Sequence, residues 1–400
     1  MKLNIVLAFQ ALASFAVATT LPAIEPAVKA DWDTIVVGGG PSGLAAASAL
    51  GRVRRNVLLI DSGEYRNNPT RRIHDVLGFD GVTPAYFRWR ARQQIIEYST
   101  VTLKNGTVEK IEAVGTTNVT LFKVTTRFGD DGKETSLTAR KIVLATGLRD
   151  LIPSTPGLAE NFGKGIYWCP WCDGHEHVDQ PMGVLGPLSL SATTPLEILT
   201  LNTDIIIFAN GTDTPENRAI NDPKLAAWDE WLEIHKITID NRTITSIQRL
   251  KDAGSLNEDP SRATLPEHDL FQVNFNTGDP VQRAVFITNF EKEQKTKIGV
   301  NLGVKLIENK MIADFAKGMI TNVPGVYAVG DANTDNSTNV YHAMWSGKRA
   351  SVSLHVALET ENAKSQTGRL PKRDVEIRER SIWEQVNGPN DVLDAGEFDR

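Results

Sequence analysis

The sequence predicts an α/β protein made of two doubly wound, three-layer domains, one of them split in the sequence. A chain of 400 residues is expected to form two compact domains rather than one. Residues 33–37 form a short β-branched run without polar alternation, typical of a buried parallel strand, and a glycine-rich turn follows. Residues 326–329 form a similar run near the other end of the chain. Both runs, near opposite ends of the chain, are expected to be buried strands of a Rossmann-like fold.

The turn after the first predicted strand has the form Gly-x-Gly-x-x-Gly, from Gly38 to Gly43. Its first glycine allows a tight turn, its second lets the backbone approach a pyrophosphate, and its third allows close helix packing. The N-terminus of the following helix then faces the phosphate charge. A second strand, residues 56–60, ends at Asp61, and an acid there can bind an adenosine ribose. The predicted dinucleotide-binding residues are Gly38, Gly40, Pro41, Ser42, Gly43 and Asp61.

The two cysteines of the chain stand in one motif, Cys169-Pro170-Trp171-Cys172-Asp173-Gly174. A Cys-x-x-Cys pair can open and close one disulfide, and the spacing favours fast thiol–disulfide exchange. A static disulfide or a zinc half-site is the alternative. His175 and His177 would complete a zinc site only in a cramped arrangement. The motif therefore favours a redox-active disulfide.

Two further strand ends select the dinucleotide, because residues 141–147 end in Ala-Thr-Gly and residues 326–331 end in Gly-Asp. With the glycine turn and the Cys pair, these motifs follow the order found in low-molecular-weight thioredoxin reductases. From about Asp33 to about Leu358 the sequence resembles that family. The resemblance implies a homodimer and FAD as the cofactor. The domains that it implies are an FAD domain of residues 31–165 and 287–361, and an inserted Cys-bearing, NADPH-type domain of residues 166–286.

Within the family, residues 61–67 and 74–78 look like a fungal and bacterial branch that includes the gliotoxin-type dithiol oxidases. By the same resemblance, Asp331 would meet the ribityl chain of FAD, and the backbone around His342 would lie near the flavin pyrimidine edge. The further FAD-binding residues that the resemblance implies are Ser62, Arg66, Asn67, His74, Thr146, Gly147, Gly330, Asp331, Tyr341, His342 and Ala343.

The second nucleotide site of the family is not recognisable in the inserted domain. The family has another glycine-rich turn after its Cys pair, where NADPH binds, and residues 182–190 keep only Gly186 of its three glycines. Pro187 removes an amide donor, and Leu188 places a side chain where backbone should approach a phosphate. Residues 205–211, without positive charge, replace the basic cluster for the 2′-phosphate. We expect this domain to be a structural cover that carries the Cys pair.

If NADPH cannot deliver electrons, the flavin must receive them from thiols. We therefore expect a dithiol oxidase, in which a substrate thiolate attacks the Cys169–Cys172 disulfide and the second substrate thiol resolves the mixed disulfide. By resemblance, Cys169 is the interchange thiol, and Cys172 passes electrons to FAD and then to oxygen, giving hydrogen peroxide. Trp168 and Trp171 favour a small dithiol as substrate, and packing of these rings on the flavin and the cover domain is the alternative. The alternatives are an NADPH-dependent disulfide reductase and a flavoprotein that binds or sequesters thiol metabolites without turnover.

The exchange steps need a base. Asp173 matches the acid/base aspartate of the family, and a helix-start cap is the alternative. His175 and His177 flank Glu176, and alternation would put both histidines on one face, as bases, metal ligands or surface strand residues. His342 is a further candidate, with packing on FAD as the alternative. The predicted catalytic residues are Cys169, Cys172, Asp173 and His342.

The N-terminal residues 1–18 have the parts of a secretory signal peptide, because Lys2 precedes an apolar run and residues 16–18 offer a small-residue cleavage site. A buried N-terminal helix is the alternative. Residues 19–30 are interpreted as a leader. Sequons agree with a secreted glycoprotein. They begin at Asn105, Asn118, Asn210, Asn241 and Asn336.

Composition and the C-terminus add limits on partners. The formal charge of −6 and the lack of a basic cluster with interleaved aromatics argue against nucleic acid. No membrane span is visible in the sequence. Residues 362–400 are a charged extension without a family counterpart, interpreted as disordered, as a docked arm or as a partner segment. The expected partners are a small dithiol, oxygen and a second copy of the chain.

Overall fold

The computed structural model describes residues 29–116, 119–129, 132–221, 227–255, 262–336 and 338–367. The described chain forms two parallel sheets with helices packed on them, which confirms the predicted α/β class with two Rossmann-like domains. The predicted signal peptide lies outside the described residues, as do residues 19–28 of the leader and residues 368–400 of the extension.

The strands and helices of the described residues are numbered in chain order. The strands are β1 Trp32–Val37, β2 Val57–Asp61, β3 Val101–Thr116, β4 Val119–Phe128, β5 Glu134–Leu144, β6 Leu148–Asp150, β7 Ile166–Tyr167, β8 Met182–Leu185, β9 Ile205–Phe208, β10 Thr238–Asp240, β11 Ile244–Lys251, β12 Leu270–Phe275, β13 Val281–Arg283, β14 Val285–Thr288, β15 Lys292–Gln294, β16 Leu306–Ile307, β17 Lys310–Met311 and β18 Val326–Ala328. The helices are α1 Pro41–Arg52, α2 Pro84–Ile95, α3 Leu158–Asn161, α4 Pro170–Asp173, α5 Leu188–Ser191, α6 Thr194–Ile198, α7 Pro215–Asn221, α8 Trp228–Ile234, α9 Ile298–Asn301 and α10 Val340–Thr367.

The first sheet is built from both ends of the chain. Its parallel part has the order β3-β2-β1-β5-β18, and the outer halves of β3 and β5 continue as an antiparallel layer with β4 between them. β2 is buried at all five positions, as expected for an unalternating apolar run in a parallel sheet. The predicted strand from the C-terminal part, β18, lies at the edge against β5.

Two helices cover one face of this sheet and pack closely on each other. α1 begins with Pro41 at its first turn, where a missing N–H costs nothing, and its alanines leave room for a neighbouring helix. On α10, Gly347 lies against α1 so closely that a Cβ there would be 2.1 Å from the carbonyl oxygen of Ser42. Leu50 and Leu354 from the two helices join the buried core over Val36 and Leu59.

The inserted domain has its own parallel sheet, in the order β10-β9-β8-β14-β7, and an antiparallel sheet of β11, β12 and β13. The expected insertion was 166–286; in the structure the parallel sheet runs from Ile166 to Thr288, and Leu158 and Phe162 pack in the core beside it. The chain leaves the first domain through β6 and returns through β15. These two strands pair with each other antiparallel, so both crossings lie side by side.

The last helix reaches into the predicted C-terminal extension. The resemblance to the family runs to about Leu358, but α10 continues to Thr367, so residues 362–367 of the predicted extension belong to it. Buried Asn362 and the ion pairs of Glu361 with Arg140 and Lys141 fix this part of α10 on the first domain. Among the described residues, no helix has the length and apolar composition needed to cross a bilayer.

The α1–α10 contact gives a stability prediction. Gly347→Ala is expected to destabilise the fold by about 1–3 kcal/mol, because the added methyl overpacks against the α1 backbone. The urea unfolding midpoint, followed by circular dichroism, measures this change. Lys364→Ala, on an exposed position of the same helix, is the control and should leave the midpoint nearly unchanged. An equal or higher midpoint for Gly347→Ala would contradict the close packing.

Candidate functional site

A cavity of about 470 Å³ lies at the carboxyl ends of β1, β2 and β5. The turn between β1 and α1 forms one wall, and the segment after β2 forms another. Asp331 and the beginning of α10 close the cavity from the C-terminal segment. The inserted domain contributes Trp168. A crevice at the carboxyl ends of parallel strands is where ligands bind in open α/β sheets.

The glycine turn is shaped to leave backbone open towards this cavity. A Cβ on Gly43 would lie 1.9 Å from the carbonyl oxygen of Gly38, and a Cβ on Gly39 would lie 2.0 Å from Asp61 Oδ2. These two glycines therefore serve close packing. A Cβ on Gly40 would meet nothing within 4 Å, so a ligand phosphate can approach the backbone there. The first-turn amides of α1 lack intrahelical partners and can donate to it.

Asp61 lies at the cavity with its carboxylate held in place. It is almost fully buried, and it accepts hydrogen bonds from the Tyr65 hydroxyl at 2.5 Å, from the Gly63 N–H at 3.0 Å and from Arg92. Burial raises the pKa of Tyr65, and its hydrogen bond to Asp61 raises this pKa further. Tyr65 therefore stays a donor, and Asp61 remains an acceptor for ligand hydroxyls.

Arg66 ties three parts of the chain together at the centre of the cavity wall. Its guanidinium forms two hydrogen bonds with Asp150, at 2.7 and 2.8 Å, and one with Asp331 at 2.9 Å. It also lies over the Trp168 ring, 5.1 Å from the centroid. Asp331 is thereby fixed at the cavity from β18, on the opposite side from Asp61.

These residues fit FAD. The open turn at Gly40 and the first-turn amides of α1 suit the pyrophosphate, Asp61 suits the adenosine ribose, and Asp331 suits a polyol chain further along the cavity. When bound, FAD supplies a group that accepts two electrons and passes them on. The cavity is open at Thr146 and Gly147, where β5 ends, and reaches Ala343 at the start of α10.

The structure brings most of the predicted cofactor residues into this cavity. Those that line it are Gly38, Gly40, Pro41, Ser42, Asp61, Ser62, Arg66, Asn67, Thr146, Gly147, Asp331 and Ala343. Gly43 and Gly330 lie behind the wall, since a Cβ on Gly330 would be 2.7 Å from Ser42 Oγ. His74, Tyr341 and His342 are not among the lining residues. Tyr341 is 64% exposed and faces a second, apolar groove between α1, α2 and α10.

The two cysteines form a disulfide directly after Trp168. Cys169 is the N-cap of the short helix α4, and its sulfur accepts a hydrogen bond from the Cys172 N–H at 3.1 Å. Such a bond stabilises a thiolate on Cys169 when the disulfide opens. Both cysteines are half-buried, and Trp171 between them is 67% exposed. The pair is therefore approachable from solvent on one side and adjoins the cavity through Trp168.

Asp173 is buried directly behind the disulfide. Burial raises its pKa well above the usual range, and the charges of Glu267 and Glu176 raise it further, although Arg71 opposes them. A carboxyl group with a raised pKa can hold a proton and donate it to a leaving thiolate. This fits the acid/base role expected for Asp173.

The histidines are arranged differently from the sequence expectation. His175 and His177 lie in a 3-10 turn rather than a strand, so His175 is exposed and His177 is fully buried. The expectation that both share one face was wrong, because the period of this turn is three residues. His177 Nδ1 lies 2.9 Å from the Asp173 carbonyl oxygen. His342 Nε2 lies 2.7 Å from Asp335 Oδ2, and its ring lies tilted against Trp345, outside the cavity lining.

Three side chains of metal-ligating types lie close together near the Cys turn. Ligand atoms of His177, Glu267 and Asp269 lie within 4.8 Å of one another. Arg71 already donates to both carboxylates, so a cation fills the place that a metal ion would take. We assign no metal site there.

The turn after β8, where a second nucleotide would bind, is filled by the protein itself. Leu188 is fully buried in the core of the inserted domain. Its N–H donates to Thr212 Oγ1 at 2.9 Å, so this amide is already occupied. Nearby, Arg218 is bound by Asp213 and Asp229. The loss of glycines seen in the sequence is thus accompanied by side chains that take the space and the donors.

A split FAD domain, its cavity and an adjoining disulfide define an FAD-dependent disulfide oxidoreductase. A family model described as pyridine nucleotide-disulphide oxidoreductase matches residues 32–347. The chain belongs to this family, and FAD is its cofactor.

Known relatives confirm the resemblance to thioredoxin reductases. A probable thioredoxin reductase of Arthroderma benhamiae is 51% identical over 350 residues, which cover 86% of this chain and 83% of that protein. Thioredoxin reductase aclD of Aspergillus oryzae is 36% identical over 226 residues, which cover 54% of this chain and 67% of that protein. A solved structure, the crystal structure of HlmI, has a TM-score of 0.69 at 27% identity and covers 84% of this chain and 95% of that chain.

Several cavity residues escaped the sequence reasoning. Tyr65 lies four residues after the predicted Asp61 and binds its carboxylate. The acid at the end of β2 was therefore the signal that could have led to Tyr65. Lys295 and Thr296 follow the return strand β15, which carries no motif. Asn339 lies at the start of α10. The residues around Arg71 come from distant parts of the chain, so no local pattern marks them.

The raised pKa of Asp173 predicts a pH-dependent stability. Between the unfolded pKa and the higher folded pKa, the folded state binds more protons than the unfolded state, so stability falls as pH rises through this window. Asp173→Asn removes this dependence. We expect it to be more stable than the native protein in urea unfolding at pH 8, with a difference that shrinks towards pH 4, and to lose most activity. An unchanged difference between the two pH values would contradict the raised pKa.

Proposed function

We propose that the protein is a secreted dithiol oxidase that uses FAD and oxygen. The balanced reaction is one dithiol and one O₂ giving one disulfide and one H₂O₂. The observation that carries the proposal is the turn after β8, in which buried Leu188 and the Thr212 hydroxyl occupy the place of a second nucleotide. With that site filled, electrons must enter through the other redox group of the chain, Cys169–Cys172.

The exchange steps follow from the geometry of the Cys turn. A substrate thiolate attacks Cys169, the interchange sulfur that the resemblance implies. The Cys172 N–H stabilises the Cys169 thiolate that leaves when the mixed disulfide is resolved. The Cys169–Cys172 bond breaks, and the leaving sulfur of Cys172 is protonated or kept as a thiolate. Buried Asp173 supplies the proton. The second substrate thiol then attacks the mixed disulfide, and the product disulfide leaves with both cysteines reduced.

Reoxidation of the pair completes the cycle. Two electrons leave the dithiol of Cys169 and Cys172, their sulfurs rejoin, and two protons are released to the cavity and to Asp173. FAD held in the cavity of Asp61 and Asp331 would supply the redox group that passes these two electrons to oxygen. The two protons and two electrons appear in H₂O₂, so the balance closes.

The substrate is proposed to be a small apolar dithiol. Trp171 is exposed beside the half-buried disulfide, and Trp168 forms the cavity wall on the other side. Two aromatic rings next to Cys169 offer apolar contact to a compact molecule. His342 is retained as a predicted base, although its ring is bound to Asp335 outside the cavity lining.

The direction of electron flow is tested by the flavin spectrum. We expect anaerobic dithiothreitol to bleach the flavin absorbance of the purified holoprotein and NADPH to leave it unchanged. In air, oxygen consumption and H₂O₂ formation should each equal the dithiol oxidised. Bleaching by NADPH but not by dithiols would instead support the reductase alternative, and dithiol binding without oxygen consumption would support the sequestering alternative.

Cysteine variants are the controls for this experiment. Cys169→Ser and Cys172→Ser should abolish turnover, because exchange needs both sulfurs. Each variant should retain FAD, since neither cysteine lines the cavity. Substantial oxidase activity in Cys172→Ser would refute the proposed route.

Secretion and glycosylation belong to the same proposal. The asparagines of four sequons, Asn105, Asn210, Asn241 and Asn336, are exposed, which supports it, while Asn118 lies outside the described residues. The homodimer implied by the resemblance stays a prediction.

A eukaryotic secretory host expressing the full chain provides the test of secretion. We expect the protein in the medium, with a gel mobility that increases after endoglycosidase treatment. Asn105→Gln should remove one glycan and serves as a matched control. Retention in the cytosol with no mobility change would contradict the proposal.

A further inference from the structure

Arg71 connects the FAD domain to the inserted domain through a buried set of ion pairs. It lies between β2 and α2, and its side chain is 10% exposed. Its guanidinium donates to Asp252 at 2.7 Å, to Asp269 at 2.8 and 3.0 Å, and to Glu267. It also donates to the Tyr167 hydroxyl at 3.3 Å. All these partners belong to the inserted domain, so these contacts bind Arg71 of the FAD domain to the inserted domain.

Asp269, one of the carboxylates that bind Arg71, is held by several partners. Asp269 is fully buried, and burial alone would raise its pKa, but His177, Arg71 and the Ala253 N–H together hold it well below the usual range. A second cation, Arg249, also binds Asp269. Charge-assisted bonds of this kind are stronger than neutral ones, and removal of one partner leaves an uncompensated buried charge.

The same carboxylates lead directly to the Cys turn. The Glu267 N–H donates to the Glu176 carbonyl oxygen at 2.8 Å, and the Tyr167 hydroxyl donates to Glu267 Oε2 at 2.9 Å. Tyr167 stands two residues before Cys169, and Glu176 stands four residues after Cys172. The turn with the disulfide is thus held on both flanks by Glu267, which Arg71 holds from the FAD domain.

His177 adds a third connection. Its Nδ1 bonds the Asp173 carbonyl at 2.9 Å, and its Nε2 faces Glu267 and Asp269 at 3.8 Å. Backbone contact seals the junction, since a Cβ on Gly81 of the FAD domain would be 2.0 Å from the Ala263 carbonyl oxygen.

We propose that Arg71 is a positioning residue for the redox disulfide, holding the turn of Cys169 and Cys172 against the FAD cavity from the opposite domain. The two covalent crossings, β6 and β15, form one narrow ribbon, which leaves the orientation of the inserted domain to non-covalent contacts. A displacement of about 1 Å between reacting groups can cost about 100-fold in rate. The inference rests on the proposed function only in taking the Cys pair as the route of electrons.

Variants of Arg71 test this role in the holoprotein. In Arg71→Met, anaerobic bleaching of the flavin by dithiothreitol is expected to slow by about tenfold or more. Alkylation of the reduced cysteines by iodoacetamide, followed by mass spectrometry, should become faster because the turn is less restrained. FAD content should be unchanged. The bleaching and alkylation rates of Arg71→Lys should lie between those of the native protein and Arg71→Met. An ammonium keeps the charge, but it cannot bind all the carboxylates as the planar guanidinium does.

Arg242→Met is the matched control, because Arg242 pairs with Asp240 and stacks on Phe275 inside the inserted domain. It should bleach and alkylate at native rates. Native rates in Arg71→Met would overturn the proposal. If Arg71→Met does not fold, Glu267→Gln should change both rates in the same direction, and native rates there would overturn it equally. If NADPH rather than dithiols bleaches the native flavin, the proposed function fails, while the alkylation rates still decide the role of Arg71.

Discussion

The pairing of β18 with β5 is the constraint on which the arrangement of the site depends. Val326 to Ala328 pair with Ile142 to Leu144, so the C-terminal segment must return to the strand at which the N-terminal segment stopped. Everything between is therefore an insertion whose two ends lie close together, and β6 and β15 pair where it leaves and returns. The same pairing brings Asp331 to the cavity, where Arg66 from the first segment binds it.

Burial of Asp173 is unfavourable for stability but suits an acid that must hold a proton. Asp173 is buried among Glu267 and Glu176, an arrangement that opposes ionisation and would be poor for stability alone. Arg71 pairs with Glu267 and Asp269 and helps to lower the pKa of Asp269, whereas the pKa of nearby Asp173 is raised. Environments that push the pKa values of neighbouring acids apart are typical of acid/base catalysis. Here the separation is produced across a domain boundary.

Local patterns in the sequence were sufficient for the parts of the site that are continuous in the chain. The Gly38–Gly43 turn, Asp61 at the end of β2 and the Cys pair each combine a strand or helix end with its own chemistry, so they could be predicted with the fold. Tertiary contacts decided the rest. His175 and His177 differ in burial because they lie in a 3-10 turn and not in the assumed strand. The end of α10, up to Thr367, is held on the first domain by the ion pairs of Glu361 with Arg140 and Lys141 of β5. Arg71 and its carboxylates have no local signature at all.

The filled turn after β8 shows how a Rossmann-like domain can be stable with side chains in the place of a phosphate turn. A glycine-rich phosphate turn exposes backbone and depends on a ligand to occupy its donors, whereas buried Leu188 adds apolar surface to the core and Thr212 occupies the amide permanently. Such a domain gains stability without a ligand and still presents the Cys turn to the FAD domain. In the dithiol oxidase that we propose, the contacts with Arg71 matter more than the turn after β8, because the inserted domain then serves to orient the disulfide. On that proposal, the filled turn and the buried interdomain junction together suit a domain that holds a disulfide in place rather than one that binds a reductant.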